Sequence, residues 1–163
     1  FVQASDDLRL AFLPNPNSPS GTMLDPEAVL ALAEQLPCPL LVDEAYADFA
    51  EDNCLDLVQH NQRIMVTRTL SKSYGLAGIR FGFLVAQPEV IAELAKIKDS
   101  YNCDGLSIAA ATALAASTWL RCKMVRISAL DSRSRLAASC CINSVFGLDL
   151  EKGESDDGPS PIE

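Results

Sequence analysis

Thr69-Leu70-Ser71-Lys72-Ser73-Tyr74-Gly75-Leu76-Ala77-Gly78-Ile79-Arg80 is a polar, glycine-punctuated run between two short apolar stretches, Ile64 to Thr67 and Ile79 to Ala86. A strand, a loop and a second strand are the expected reading. Working toward the amino terminus, Pro39 to Val42 is another short apolar stretch, ending in Asp43, and Leu8 to Leu13 is a further one that runs into the turn-forming cluster Pro14 to Gly21. Between them a helix is encoded in full: Asp25 as cap, Pro26 at the first helical position, Glu27 complementing the dipole, then Val29, Leu32, Ala33 and Leu36 at helical spacing before Pro37. Tyr46 to His60 reads as irregular. Toward the carboxyl terminus, Pro88 opens a helix through Lys96 with Val90, Ile91, Leu94 and Ile97 on its apolar side, and Ser107 to Leu120 is an Ala-rich helix. Short strands alternating with helices predict an α/β unit with a mostly parallel sheet flanked by helices. In such sheets ligands sit at the carboxyl ends of the strands, where the loops after Leu13, Val42 and Thr67 would emerge.

Composition narrows the function classes. The chain has 163 residues, enough for one domain with a real core, and its 48% hydrophobic and 21% charged content is that of a globular protein. No apolar run approaches the ~20 residues that span a bilayer, so a membrane role is not expected. Net charge is -9, of which Asp149, Glu151, Glu154, Asp156, Asp157 and Glu163 against Lys152 carry -5, so the acidity belongs largely to a tail. A nucleic-acid partner would require a basic stripe with interleaved aromatics; the nearest candidate, Arg121, Lys123, Arg126, Arg133 and Arg135, has only Trp119 beside it. Six cysteines (Cys38, Cys54, Cys103, Cys122, Cys140 and Cys141) contain no C-x-x-C pair, and His60 is the one histidine, so neither a zinc site nor a disulfide framework is encoded. Reduced thiols in a cytoplasmic protein are the expectation.

Three segments carry the chemistry: Asn15-Pro16-Asn17-Ser18-Pro19-Ser20-Gly21, Val42-Asp43-Glu44-Ala45-Tyr46, and the run from Thr69 to Arg80. Each alone has an ordinary structural explanation. Lysines are mostly solvated, an Asp at a strand end is often a cap, a Tyr can pack as an amphipathic core residue, and Asn-Pro with Ser-Gly is turn chemistry. In this order, each on a loop at the carboxyl edge of an expected strand, they resemble the fold-type I pyridoxal-phosphate (PLP) dependent aminotransferases. The Thr-Leu-Ser-Lys run, the Leu-Ala-Gly-Ile-Arg continuation and the later Ser100-Tyr101-Asn102 are similar to the histidinol-phosphate aminotransferase branch of that superfamily. The resemblance covers roughly Leu8 to Ala115.

What the resemblance implies is specific. The cofactor would be pyridoxal 5'-phosphate, bonded covalently to Lys72, the catalytic residue. Lys72 must react as a free amine, yet a reference pKa of ~10.4 leaves only about one in a thousand neutral near pH 7.4. Desolvation and the cation Arg80 are expected to favour the neutral form. Arg80, with hydroxyls from Ser71 and Thr69, would grip the cofactor phosphate, since a guanidinium fork suits a dianion. Asp43 would pair with the protonated pyridine nitrogen and Tyr46 would donate to the ring oxygen. The family has Asn before the second Pro of its turn, where Ser18 stands here, and the neighbouring Asn17 is the expected substitute. Tyr101 and Asn102 are candidates for substrate contact. The implied reaction is amino transfer between L-histidinol phosphate and 2-oxoglutarate, both small molecules, in histidine biosynthesis. The implied assembly is a homodimer.

The resemblance also implies a longer subunit, with a Gly/Ser phosphate loop and a stacking aromatic before the first motif and a small domain after the last. The expected division is therefore 1–120 as part of a large PLP-binding domain, 121–148 as a degraded helical segment, and 149–163 as a disordered acidic tail. Weak cofactor binding without turnover is expected of the chain by itself, and uncovered apolar faces with open sheet edges follow from an incomplete sheet. Two rivals stand beside this reading. A non-catalytic remnant of the fold could serve as a structural module. Leu40 to Ala45 also looks like the magnesium-binding strand of helicase-type ATPases, but that class needs G-x-x-x-x-G-K-[ST], and no such run is present.

Overall fold

The computed structural model of the chain describes residues 7–100 and 103–116. Four strands form one sheet in the order β1-β2-β3-β4: β1 (Ala11–Pro14), β2 (Leu40–Asp43), β3 (Ile64–Thr69) and β4 (Gly82–Val85). β1, β2 and β3 are parallel, with Pro14 level with Asp43 and Asp43 level with Thr67, whereas β4 returns antiparallel with Gly82 level with Thr69. The expected mostly parallel sheet is present. Its consequence for function is geometric: three strands end, and the fourth begins, at one edge.

The strands are short and apolar on both faces because helices cover both. On one face lie Val29 and Ala33 of α1 (Pro26–Gln35), its C-cap Leu36, and Leu57 and Val58 of the single turn α2 (Leu57–His60), packed on Leu40, Val42, Ile64, Val66 and Val85. On the other, α3 (Pro88–Ile97) sets Ile91, Val90 and Leu94 against Met65, Leu84 and Leu41. Alternation along β3 explains the split, since successive side chains point to opposite faces. β3 is central and its first four residues are buried.

Local signals are used as the sequence predicts. The Asp25 carboxylate accepts from the Ala28 N–H at 2.7 Å and Pro26 opens α1. Such a cap contributes ~1 kcal/mol. The Ala-rich helix, α4 (Gly105–Ala116), begins two residues earlier than its periodicity suggests, because Asp104 accepts from the Ser107 N–H at 2.9 Å. The Ser107 hydroxyl donates to the Ile79 carbonyl at 2.9 Å and so ties this helix to the loop before β4.

Three boundaries differ from expectation. Arg68 and Thr69, which follow the expected end of the strand at Thr67, belong to β3 rather than to the loop. Ile79 and Arg80, read as the start of a strand, instead end a 3-10 turn (Ala77–Ile79) and occupy a left-handed residue at φ 51, so β4 starts only at Gly82. The reason is that left-handed backbone at Gly75 and at Arg80 turns the chain back before it can extend. Within the stretch read as irregular, a 3-10 turn (Ala47–Phe49) follows Tyr46, and α2 lies beyond it.

The sheet's outer strands are β1 and β4, so each leaves an edge without a strand partner among the described residues. Phe12, Phe49, Leu106 and Ile97 are 62%, 69%, 76% and 79% exposed, the uncovered apolar surface expected of a partial sheet. No helix among the described residues is long and apolar enough to cross a membrane. The boundaries expected at 120 and 148 and the acidic tail lie outside the described residues, as do Tyr101 and Asn102.

Candidate functional site

Strand register assembles the site. Asp43 ends β2, Thr69 ends β3, Ser71 and Lys72 follow on the loop, and Arg80 precedes β4, so all arrive at the same edge of the sheet. The Asp43 carboxylate is exposed and accepts from the Ala45 N–H at 3.0 Å, which orients it without consuming its charge. Thr69 spends its hydroxyl locally, accepting from the Ser71 N–H at 3.1 Å and donating to the Phe81 carbonyl at 3.4 Å.

The lysine loop is a closed turn. Leu70 donates its N–H to the Phe81 carbonyl at 3.0 Å, Leu76 donates to the Leu70 carbonyl at 3.1 Å, and Gly75, at φ +67, donates to the Lys72 carbonyl at 3.1 Å. Leu70 is buried beneath it, and the Lys72 side chain faces out. Its Nζ lies 5.0 Å from the centroid of the Tyr46 ring. Hydrogen bonding from Lys72, then from the Ser18 hydroxyl, holds the Tyr46 phenol below its ordinary 10.0. Lys72, Tyr46 and Ser18 are therefore brought together, from three loops.

Three expected contacts are not made among the described residues. The desolvation expected around Lys72 is not supplied by the described residues, because its side chain is exposed. Nor does Arg80 lean on it: the exposed guanidinium donates to the Ala77 carbonyl at 3.1 Å, within its own turn. Asn17 likewise is engaged in its own loop, where its amide donates to the Ser20 hydroxyl at 2.6 Å, and Ser18 is the residue that meets Tyr46. An open cleft of about 720 Å³ runs beside Tyr46, lined by Asn17, Ser18, Met23, Phe49 and Asp52 among others. Asp43, Lys72 and Arg80 do not line it, so it adjoins the edge site rather than forming it.

Beneath the exposed groups lies a buried layer that sequence reasoning missed. Glu44, 1% exposed, accepts from the Cys54 backbone N–H and from Arg68, whose Nε and Nη2 approach Oε2 at 2.8 and 2.6 Å. Burial pushes the Glu44 carboxyl above its ordinary 4.5 and outweighs the adjacent Arg68 cation, which pulls it down. Arg68 Nη1 also lies 3.6 Å from Asp48 Oδ1. A signal for this pair was present. Parallel strands that end together put the residue after Asp43 level with the residue after Thr67, and those residues are Glu44 and Arg68.

The donor set suits a pyridoxal phosphate group. It offers an outward carboxylate for a pyridinium N–H, a phenol with an amine 5.0 Å from its ring centroid, and hydroxyls and a guanidinium on the adjoining loop for an anion. Among the described residues no cluster of His, Cys, Asp and Glu could hold a metal ion.

Comparison with known proteins places the chain in a family. The sequence profile of aminotransferase class I and II matches residues 3–142. A histidinol-phosphate aminotransferase of Rhodopirellula baltica is 62% identical over 135 residues, 82% of this chain and 37% of that protein. That of Geotalea uraniireducens is 54% identical over 107 residues, 66% of this chain and 31% of that protein. The crystal structure of histidinol-phosphate aminotransferase from Sinorhizobium meliloti in complex with pyridoxal-5'-phosphate superimposes with a TM-score of 0.63 at 31% identity, over 76% of this chain and 35% of that one. The chain thus spans about a third of the length of the relatives it matches. A profile match over most of the sequence, on a sheet whose lysine, aspartate and tyrosine converge at one edge, means that the chain belongs to the aminotransferase class I and II family.

Proposed function

We propose that this chain provides the lysine-bearing part of a PLP site for amino transfer between L-histidinol phosphate and 2-oxoglutarate, a step of histidine biosynthesis. The single observation that carries the proposal is the convergence of Lys72, Tyr46 and Asp43 at one sheet edge, in a chain 62% identical over its matched length to a protein named for that activity. When bound, the cofactor supplies an electron sink for the pair left behind when the substrate α-proton departs. The chain's own residues do the rest. Lys72 would hold the cofactor and its amine would serve as the general base that moves the proton. Asp43 would pair with the protonated ring nitrogen, and Tyr46 would donate to the ring oxygen, with Ser18 beside its hydroxyl. Arg80 would leave its own-turn carbonyl for the phosphate, joined by Ser71 and Thr69, and Asn17 borders the same edge. Tyr101 and Asn102 remain the proposed substrate contacts.

A homodimer in the cytoplasm belongs to the same reading. The exposed Phe12 and Phe49, and the buried thiols Cys38 and Cys54, which form no disulfide, support it. By itself the chain is expected to bind PLP weakly and not to turn over.

The test is to incubate the purified chain with PLP, reduce with borohydride and locate the adduct by peptide mass, with Lys72→Ala as control. An adduct confined to Lys72 is the expected result. Modification spread evenly over surface lysines, unchanged by Lys72→Ala, would sink the proposal and favour the non-catalytic remnant.

A further inference from the structure

Asp48 has no part in the roles assigned so far, yet it stands at the junction of the two loops that make the site. It lies in the 3-10 turn directly after Tyr46, and its Oδ2 accepts from the Ser73 hydroxyl at 2.5 Å. The Tyr74 hydroxyl is also hydrogen-bonded to it; burial first, then the Asp48 charge, pushes that phenol up to about 12. Ser73 and Tyr74 are the two residues that follow Lys72. On its other side Asp48 faces Arg68, which Glu44 holds, so an unbroken chain of polar contacts runs from the end of β2 through β3 to the lysine loop.

The arrangement answers a mechanical need. The backbone bonds that close the lysine loop, Leu76 to Leu70 and Gly75 to Lys72, lie within the loop itself and fix its shape. They do not fix its place relative to Tyr46. A lysine side chain has four rotatable bonds and up to ~2 kcal/mol of rotamer freedom, so an exposed amine stays on one ring face only if its backbone is held there. Charge-assisted hydrogen bonds to Asp48 provide that hold. The buried Arg68–Glu44 pair keeps Asp48 from turning toward solvent.

We infer that Asp48 is a positioning residue for Lys72: oriented by Arg68, it clamps Ser73 and Tyr74 and so sets the Lys72 amine against Tyr46. The consequence for cofactor capture rests on the function proposed above, but the positioning itself does not.

The test uses the full chain with ζ-carbon-labelled tyrosine, following the ionisation of Tyr46 by NMR and assigning it with Tyr46→Phe. In the unaltered chain Tyr46 is expected to ionise below its ordinary value, and Lys72→Ala should remove the larger part of that displacement, leaving the part due to the Ser18 hydroxyl. Asp48→Ala and Ser73→Ala should each carry the titration at least halfway toward the Lys72→Ala result, while Asp48→Asn, which keeps an acceptor, should fall between Asp48→Ala and the unaltered chain. In parallel, the borohydride-fixed PLP adduct at Lys72 should drop about tenfold in Asp48→Ala, the scale of one charge-assisted hydrogen bond, with labelling of Lys96 unchanged. Far-UV circular dichroism checks the fold; should Asp48→Ala unfold, Ser73→Ala decides, since it removes one hydroxyl from a surface loop. Tyr46 curves for Ser73→Ala and Asp48→Ala that overlay the unaltered chain would overturn the inference. Absence of any Lys72 adduct in the unaltered chain would count against the proposed cofactor role alone, because the Tyr46 titration is read without PLP.

Discussion

Replacing Arg68 with Met should be among the most damaging single changes in this sheet, and the cost should depend on pH in a stated direction. The Glu44 side chain is 0% exposed and that of Arg68 12%, so the substitution removes a guanidinium that contacts Glu44 through two nitrogens and leaves a carboxylate out of reach of water. Breaking a buried pair from one side typically costs ~3–5 kcal/mol, against ~5–15 kcal/mol for the whole of a typical domain. With a urea slope of ~2 kcal/mol per molar, the unfolding midpoint should fall by about 1.5–2.5 M. Burial already raises the Glu44 carboxyl above 4.5, and losing Arg68 raises it further. In the variant the folded state then binds a proton that the unfolded state has released, so its stability declines as pH rises through the window that opens near 4.5. The deficit relative to the unaltered chain should therefore be smaller at pH 5 than at pH 7.5. Urea titrations followed by far-UV circular dichroism at both values would measure it. A loss below ~1 kcal/mol, or an equal loss at the two pH values, would refute the claim that Arg68 stabilises the buried Glu44 carboxyl. Joint replacement of both residues by apolar ones of similar volume should recover most of the loss, since neither charge is then stranded.

Two further outcomes follow from contacts described above. A Cβ on Gly82 would sit 2.8 Å from the Arg68 carbonyl oxygen, which is backbone and cannot swing aside, so Gly82→Ala should push β4 off β3 and cost ~1–3 kcal/mol in urea unfolding; an unchanged midpoint would contradict the pairing. Burial, reinforced by the Glu44 charge, pushes the Cys54 thiol up to about 12, so at pH 8 the reactive thiolate is on the order of one part in ten thousand. Iodoacetamide should label the half-buried Cys103 well before Cys54 or Cys38 in the folded chain, and equal rates read by peptide mass would show that the core is open.

Much of the architecture was legible because it rests on local signals. The Asp25-Pro26 start of α1, the Pro88 start of α3 and the apolar runs at Leu40 and Ile64 each announce themselves within a few residues. Boundaries slipped where a turn competes with an extended run, as at Ile79 and Arg80, because a left-handed residue interrupts a stretch that hydropathy alone would extend. The exposed half of the site was legible for the same local reason: Asp43, Tyr46 and Lys72 sit in distinctive runs. The buried half was not. Glu44, Arg68 and Asp48 are ordinary charged residues in one dimension, and their pairing exists only once β2 and β3 are in register.

The antiparallel return of β4 has a kinetic meaning. Asp43 and Tyr46 reach the edge through β2, which finds β3 only after an intervening crossover has been laid down, whereas Lys72 and Arg80 lie within a single β-hairpin closed by Thr69 and Gly82. Hairpins of this kind form in about 1–10 μs, while parallel pairing must first overcome the closure of a longer chain segment. The loop that carries the amine can thus adopt its turn early and repeatedly. The aspartate and the phenol arrive later, when the sheet is complete. Insertions in the crossover that carries α2 would then delay the maturation of the edge without reshaping the lysine loop, whereas a one-residue insertion within β3 would turn its outward side chains toward the opposite face.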